Sequence, residues 1–208
     1  MEQDKYYHIY NRGNNNDLIF YEDENFDYFI KKYRFYLDKY VDTLCFCLMK
    51  THFHFLIKIK NTEPDISEEN NKSLLTPLEK AFRDFFISYA KSINKKYHRT
   101  GSLFQYKFKR KEISDNNYLK NIIRYIHFNP VESAYCFNLE DYEYSSFKTI
   151  LLKVNSWLAS DLVIDIFGDI NEFKYFHDQL LEQKQRKIRK TQDYKSFKNF
   201  CSLHGKLL

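Results

Sequence analysis

The chain has 208 residues, 43% of them hydrophobic, enough for the core of one ordinary domain. Mean hydropathy is −0.64; no apolar run approaches the roughly 20 residues of a membrane span, and "MEQDKYYHIY" lacks the basic start and apolar run of a secretory signal. The net charge of +5 is uneven: residues 181–208 hold eight Lys/Arg and two acids, the remaining 180 sum to −1, and Phe85–Lys111 holds eight Lys/Arg and no acid. Two basic blocks on a nearly neutral body point to a polyanion partner. There are 18 Tyr and 20 Phe against 4 Gly and 3 Pro, so a tyrosine is informative only by its position.

In chain order, Tyr6–Asn11 alternates as a strand and ends in the turn-rich "NRGNNND". Residues 22–40 read as a helix on the spacing of Phe26, Phe29, Ile30, Tyr33 and Leu37. "DTLCFCLM" (42–49) is almost continuously apolar, a strand buried on both faces, with Cys45 and Cys47 as small buried groups. No second Cys/His pair has zinc spacing. After Lys50-Thr51 comes a second strand, expected to pair with the first as a hairpin. The stretch 61–75 is an acidic loop. Thr76-Pro77-Leu78-Glu79 combines a capping box with proline at the first helical position, starting a helix to about Tyr97.

"SLFQYKFKRKEI" (102–113) reads as a further strand, with Phe104, Tyr106 and Phe108 on one face and Gln105, Lys107 and Lys109 on the other. A helix then starts at Ser114/Asp115 and is expected to stop at Phe128, because a residue before proline resists helical angles. "DYEYSSF" (141–147) reads as loop, with two weaker helices at about 160–167 and 170–183. The basic run 184–190 opens the tail. This order gives an α+β fold: one central antiparallel sheet with packed helices, as residues 1–150, and a helical basic extension, 151–208.

Within "KTHFHFLIKIK", Phe53, Phe55, Ile57 and Ile59 share one face, and His52, His54, Leu56, Lys58 and Lys60 the other. Histidines two apart on one strand face are about 7 Å apart at Cα, a workable pair of metal ligands. The strand follows an apolar one, so it is expected to be central, with its histidine face under a helix. The 116–128 helix supplies the candidate cover. Its core stripe is Leu119, Ile122, Ile123 and Ile126; Tyr125 lies at the border, Asn129 one turn on, and His127 points away.

The ordered set of NRG, "HFH", "GSLFQYKFKR" and "RYIHFNPVESAY", with "DYEYSSF" beyond, resembles the single-tyrosine HUH endonucleases, in particular the REP-associated tyrosine transposases and their insertion-sequence relatives. The resemblance covers about residues 5–150 and implies a ferredoxin-like HUH fold. It implies Tyr125 as nucleophile, with His52, His54 and Asn129 holding Mg²⁺ or Mn²⁺. It implies Arg12 at single-stranded or hairpin DNA, a 5′-phosphotyrosine intermediate, and a cytoplasmic, nucleoid-associated enzyme of DNA transposition. Monomer and homodimer stay open. Lys107, Lys109 and Arg110 are candidate phosphate contacts, with Phe104, Tyr106 and Phe108 either stacking on single-stranded DNA or forming the core face of an amphipathic strand; Arg186, Lys187, Arg189 and Lys190 either grip a hairpin stem or belong to a solvated tail. Two other readings remain: a non-catalytic hairpin-binding protein, and an HxH metal-dependent phosphohydrolase that uses water.

Overall fold

The computed structural model describes residues 1–61, 75–105, 107–154 and 156–190. Its elements run β1 (Tyr6–Arg12), α1 (Asp23–Leu37), β2 (Val41–Met49), β3 (His52–Ile59), α2 (Pro77–Lys96), β4 (Lys109–Ile113), α3 (Asn116–Glu132), α4 (Phe147–Leu151), α5 (Ser160–Phe167) and α6 (Ile170–Lys190). The strands form one sheet in the order β2-β3-β1-β4, every neighbour antiparallel. This βαββαβ arrangement is ferredoxin-like, and it makes β3 an interior strand, as its sequence position suggested.

Alternation along the strands divides the core in two. On one face Tyr7, Ile9, Phe53, Phe55, Ile57 and Ile59 meet α1 and α2 through Phe26, Phe29, Tyr33, Phe82, Phe85 and Tyr89. Buried hydroxyls there find partners: Tyr33 lies 2.7 Å from Thr43 Oγ1, and Tyr89 donates to the Ile19 carbonyl at 2.7 Å. On the other face Leu44, Cys45, Cys47 and Leu56 meet α3, α5 and α6 through Leu119, Ile123, Ile126, Val163 and Phe173. Burial pushes the Cys45 and Cys47 thiols well up, as expected of inert core groups. Residues after 150 thus enter the second core.

Three expectations need correction. First, the strand expected over 102–113 begins only at Lys109. Lys107 has a left-handed φ of 58°, which breaks the extended run. Phe104 bridges to Gly13 and is buried, and Phe108, partly buried, packs on Phe82 and Phe86 at ring-centroid distances of 5.0 and 5.2 Å, so both rings rest against the first core. Second, α3 continues through Asn129-Pro130 to Glu132. Phe128, Asn129, Pro130 and Val131 are all buried, and packing of this last turn outweighs the local preference against helix before proline. Third, the basic run 184–190 is the end of α6 rather than the start of a tail. The acidic stretch at 62–74, Tyr106 and residues 191–208 lie outside the described residues, as do the side chains of Lys187, Arg189 and Lys190.

Candidate active site

Three elements converge on the histidine face. β3 presents His52 and His54. β1 presents His8, Tyr10 and Arg12, because the register sets Tyr10 opposite His54 and Arg12 opposite His52. Across them lies α3. Its start is fixed by Asp115, whose carboxylate accepts from the Tyr118 amide at 2.6 Å, and its stripe of Leu119, Ile122, Ile123 and Ile126 is buried. That rotation leaves Tyr125 42% exposed and Asn129 buried. Tyr10, Asn11, Arg12, His52, His54, Gln105, Lys109 and Tyr125 enclose a cavity of about 260 Å³.

The continuation of α3 past the expected stop matters for the site. One turn beyond Tyr125, Asn129 donates from Nδ2 to the Tyr125 carbonyl at 2.9 Å, which turns its Oδ1 toward Nε2 of His52, 3.4 Å away. Nδ1 of His52 lies 3.1 Å from Thr51 Oγ1. The Tyr125 ring meets His54 edge-on at 5.4 Å and His8 at 6.1 Å. His8 Nε2 and His54 Nδ1 are 3.0 Å apart.

Burial sets the charge state of this group. It lowers His54 well below the ordinary imidazole range, with His8 and His52 adding to the effect. It lowers His8 to about 4, Lys111 contributing. It lowers His52 too, against the opposing effect of the bond that ring can donate to the Asn129 side-chain oxygen. All three rings are therefore neutral near pH 7, the form that binds a metal. The Tyr125 hydroxyl is raised by burial while the Asn129 side chain pulls it down, so it carries its proton until something in the site takes it.

Among the described residues no cluster of three or more His, Cys, Asp or Glu is arranged to hold a metal. The set here is two imidazoles and an amide. Its chemistry fits a divalent cation: the rings are neutral, and His52 Nε2 and Asn129 Oδ1 are spaced near the ~3 Å that two adjacent octahedral ligands adopt at bonds of about 2.1 Å. Two imidazoles alone suit a later transition metal such as zinc, so the expectation of Mg²⁺ or Mn²⁺ leans on the family resemblance.

The basic candidates do not act as one group. Arg12 is exposed at the cavity rim. Gly13 beyond it permits a close approach, since a Cβ there would sit 1.9 Å from the Asp17 carbonyl oxygen. Lys109 lies opposite Tyr10 on the cavity face, its Nζ 5.9 Å from that ring. Arg110 points to the other face and pairs with Glu79 at 3.0 Å. With Lys107 it lines a separate groove beside Phe86 and Phe108. Arg186, far along α6, pairs with Glu182 at 3.1 Å.

Sequence reasoning did not name His8, Tyr10, Asn11 or Gln105 as site residues. The signal for His8 and Tyr10 was their alternation in "YYHIYN", but placing that face beside His54 needs the strand register.

No family model matches the chain. A curated protein of Haemophilus influenzae, provisionally named a REP-associated tyrosine transposase, is 28% identical over 109 residues, covering 51% of this chain and 58% of that relative's length. A solved structure of a REP-associated tyrosine transposase bound to a REP hairpin aligns with a TM-score of 0.53 at 13% identity, over 76% of this chain and 85% of the other. That alignment carries the fold, and no helix among the described residues is long and apolar enough to cross a membrane. In sequence and in fold alike, the chain is similar to the REP-associated tyrosine transposases.

Proposed function

We propose that this protein is a metal-dependent endonuclease and strand transferase acting on single-stranded, hairpin-containing DNA, with Tyr125 as nucleophile. The observation that carries the reading is the role of Asn129. One amide ties to the Tyr125 backbone and faces His52, while the Tyr125 ring rests on His54. Tyr125, His52 and His54 line one cavity, and Asn129 links the Tyr125 backbone to His52. The likeness to transposases, one of them solved on a REP hairpin, supports DNA as the substrate.

His52, His54 and Asn129 would hold Mg²⁺ or Mn²⁺, which when bound neutralises charge on a phosphate oxygen. The residues do the rest. Arg12 and Lys109 at the rim attract the phosphate backbone. The Tyr125 oxygen attacks phosphorus, the bond to the 3′ oxygen breaks, and the tyrosine proton ends on that oxygen through solvent. The products are a 5′-phosphotyrosine and a free 3′-hydroxyl. The phosphodiester energy is kept in the covalent link, so the reverse step joins strands without ATP. A hydroxyl whose pKa is raised in the free protein is consistent with activation only once substrate is in place.

The test is incubation with a single-stranded hairpin oligonucleotide and Mn²⁺. A denaturation-resistant protein–DNA adduct is expected, absent with EDTA and absent in Tyr125→Phe. Hairpin binding indifferent to EDTA, with no cleavage in any metal, would favour a pure binding protein. Turnover without an adduct, unchanged in Tyr125→Phe, would favour a hydrolase using water.

A further inference from the structure

β1 carries a histidine that the proposed chemistry leaves unused. His8 is buried on the cavity side of the sheet, its Nε2 3.0 Å from Nδ1 of His54. The register pairs His54 with Tyr10 and Leu56 with His8, so the two imidazoles are diagonal cross-strand neighbours. The His8 ring stacks on Tyr10 at 4.7 Å with an interplanar angle of 25°, and it meets His54 edge to edge in nearly the same plane, centroids 5.1 Å apart at 24°. Tyr125 closes the arrangement edge-on. A ring held between two others on a central strand keeps one orientation.

A neutral imidazole has its proton on one nitrogen, so the partner of that nitrogen decides what the other can do. Nδ1 of His54 faces His8, and its Nε2 has no hydrogen-bond partner among the described residues. With the proton on Nδ1, Nε2 offers a bare lone pair. His52 meets the same need locally, through the Thr51 hydroxyl beside its Nδ1. The residue before His54 is Phe53, which has no such group, and the partner comes instead from the neighbouring strand.

We propose that His8 is a positioning residue: it accepts the Nδ1 proton of His54 and so keeps Nε2 of His54 bare for a divalent cation. This rests on the reading of His54 as a metal ligand. It predicts that the acceptor atom of His8, rather than its bulk, is what the site requires.

The experiment compares the full chain with His8→Phe, which keeps a stacking ring and removes the acceptor, and His8→Gln, which keeps an acceptor oxygen near the Nε2 position. Ring ¹⁵N NMR without metal reads the His54 tautomer, Mn²⁺ titration reads affinity, and thermal melting confirms that each variant folds. The wild type is expected to hold the His54 proton on Nδ1. His8→Phe should move it to Nε2 and weaken Mn²⁺ binding by about 10- to 100-fold. His8→Gln should bind Mn²⁺ much as the wild type does. A wild-type proton on Nε2, unchanged Mn²⁺ affinity in His8→Phe, or equal losses in both variants would overturn the proposal. Because the tautomer is read without metal, a wild type with the Nδ1 proton but no Mn²⁺ binding would overturn the metal reading, a different failure from a misplaced proton.

Discussion

His8 and His54 meet at 3.0 Å between ring nitrogens, and so do His127 and His177, on the same side of the sheet. The two buried pairs differ in what surrounds them. His127 Nε2 lies 2.9 Å from the Ser146 hydroxyl, and His177 Nδ1 donates to the Phe173 carbonyl at 2.7 Å. Every ring nitrogen of that pair is engaged, and the chain of bonds ties α3 to α6 in the second core. The His8–His54 pair ends instead at an open cavity beside Tyr125. A histidine pair whose four ring nitrogens are all engaged is a fastening, and one with a nitrogen facing a cavity offers a place for a ligand.

The comparison breaks most severely at Tyr125. Tyr125→Phe should remove the covalent adduct altogether, a loss on the order of 10³-fold or more. A partly exposed hydroxyl should cost the fold within about 0.5 kcal/mol, so an unshifted melting temperature beside a lost adduct is the expected pair of results.

Next come the histidines themselves. His54→Ala should abolish Mn²⁺ binding, measured by titration. His177→Phe should leave Mn²⁺ affinity intact and destabilise the protein by about 1–3 kcal/mol, because the buried His127 Nδ1 loses its partner. Denaturant unfolding reads the second effect. Loss of Mn²⁺ binding in His177→Phe would erase the distinction between the pairs.

Acid should act on both pairs, since burial lowers His8 and His54 as well, and His177→Phe isolates the share of the fastening pair. Burial lowers His177 to about 4 and His127 well below the ordinary value of about 6.5, so both are neutral when folded. The unfolded chain binds more protons below about pH 6.5. Stability is therefore full above that pH and falls as pH drops toward about 4, by up to about 1.4 kcal/mol per pH unit for each histidine. The slope between pH 6.5 and 5 should be smaller in His177→Phe, as followed by melting temperature.

The smallest effect separates neighbouring cations. Lys109→Ala should weaken binding of a hairpin oligonucleotide and reduce its log–log salt slope by about 1. Arg110→Ala, whose guanidinium already pairs with Glu79 on the other face, should change that slope less.

Much of this was legible in the chain. The period-2 pattern of "HFHFLIKI" placed two histidines on one face of an interior strand, and the 3–4 spacing of α3 put Tyr125 at its border. Local rules erred where packing overrode them. Proline at 130 was expected to end α3, but burial of Phe128 to Val131 carries the helix on, and this last turn brings Asn129 to His52. A left-handed residue at Lys107 is not announced by composition, and it splits the expected strand, leaving Lys109 at the cavity and Lys107 and Arg110 in the groove beside Phe86 and Phe108. His8 was hidden for a different reason: which strand lies beside β3 is a property of topology.

The central claim is that Tyr125 is the nucleophile. Peptide mapping by mass spectrometry, after reaction with a short hairpin oligonucleotide and Mn²⁺, tests it most directly. The DNA mass should sit on the peptide carrying Tyr125 and on no other. Attachment to another residue of the cavity, Tyr10 above all, or cleavage with no modified peptide, would contradict it.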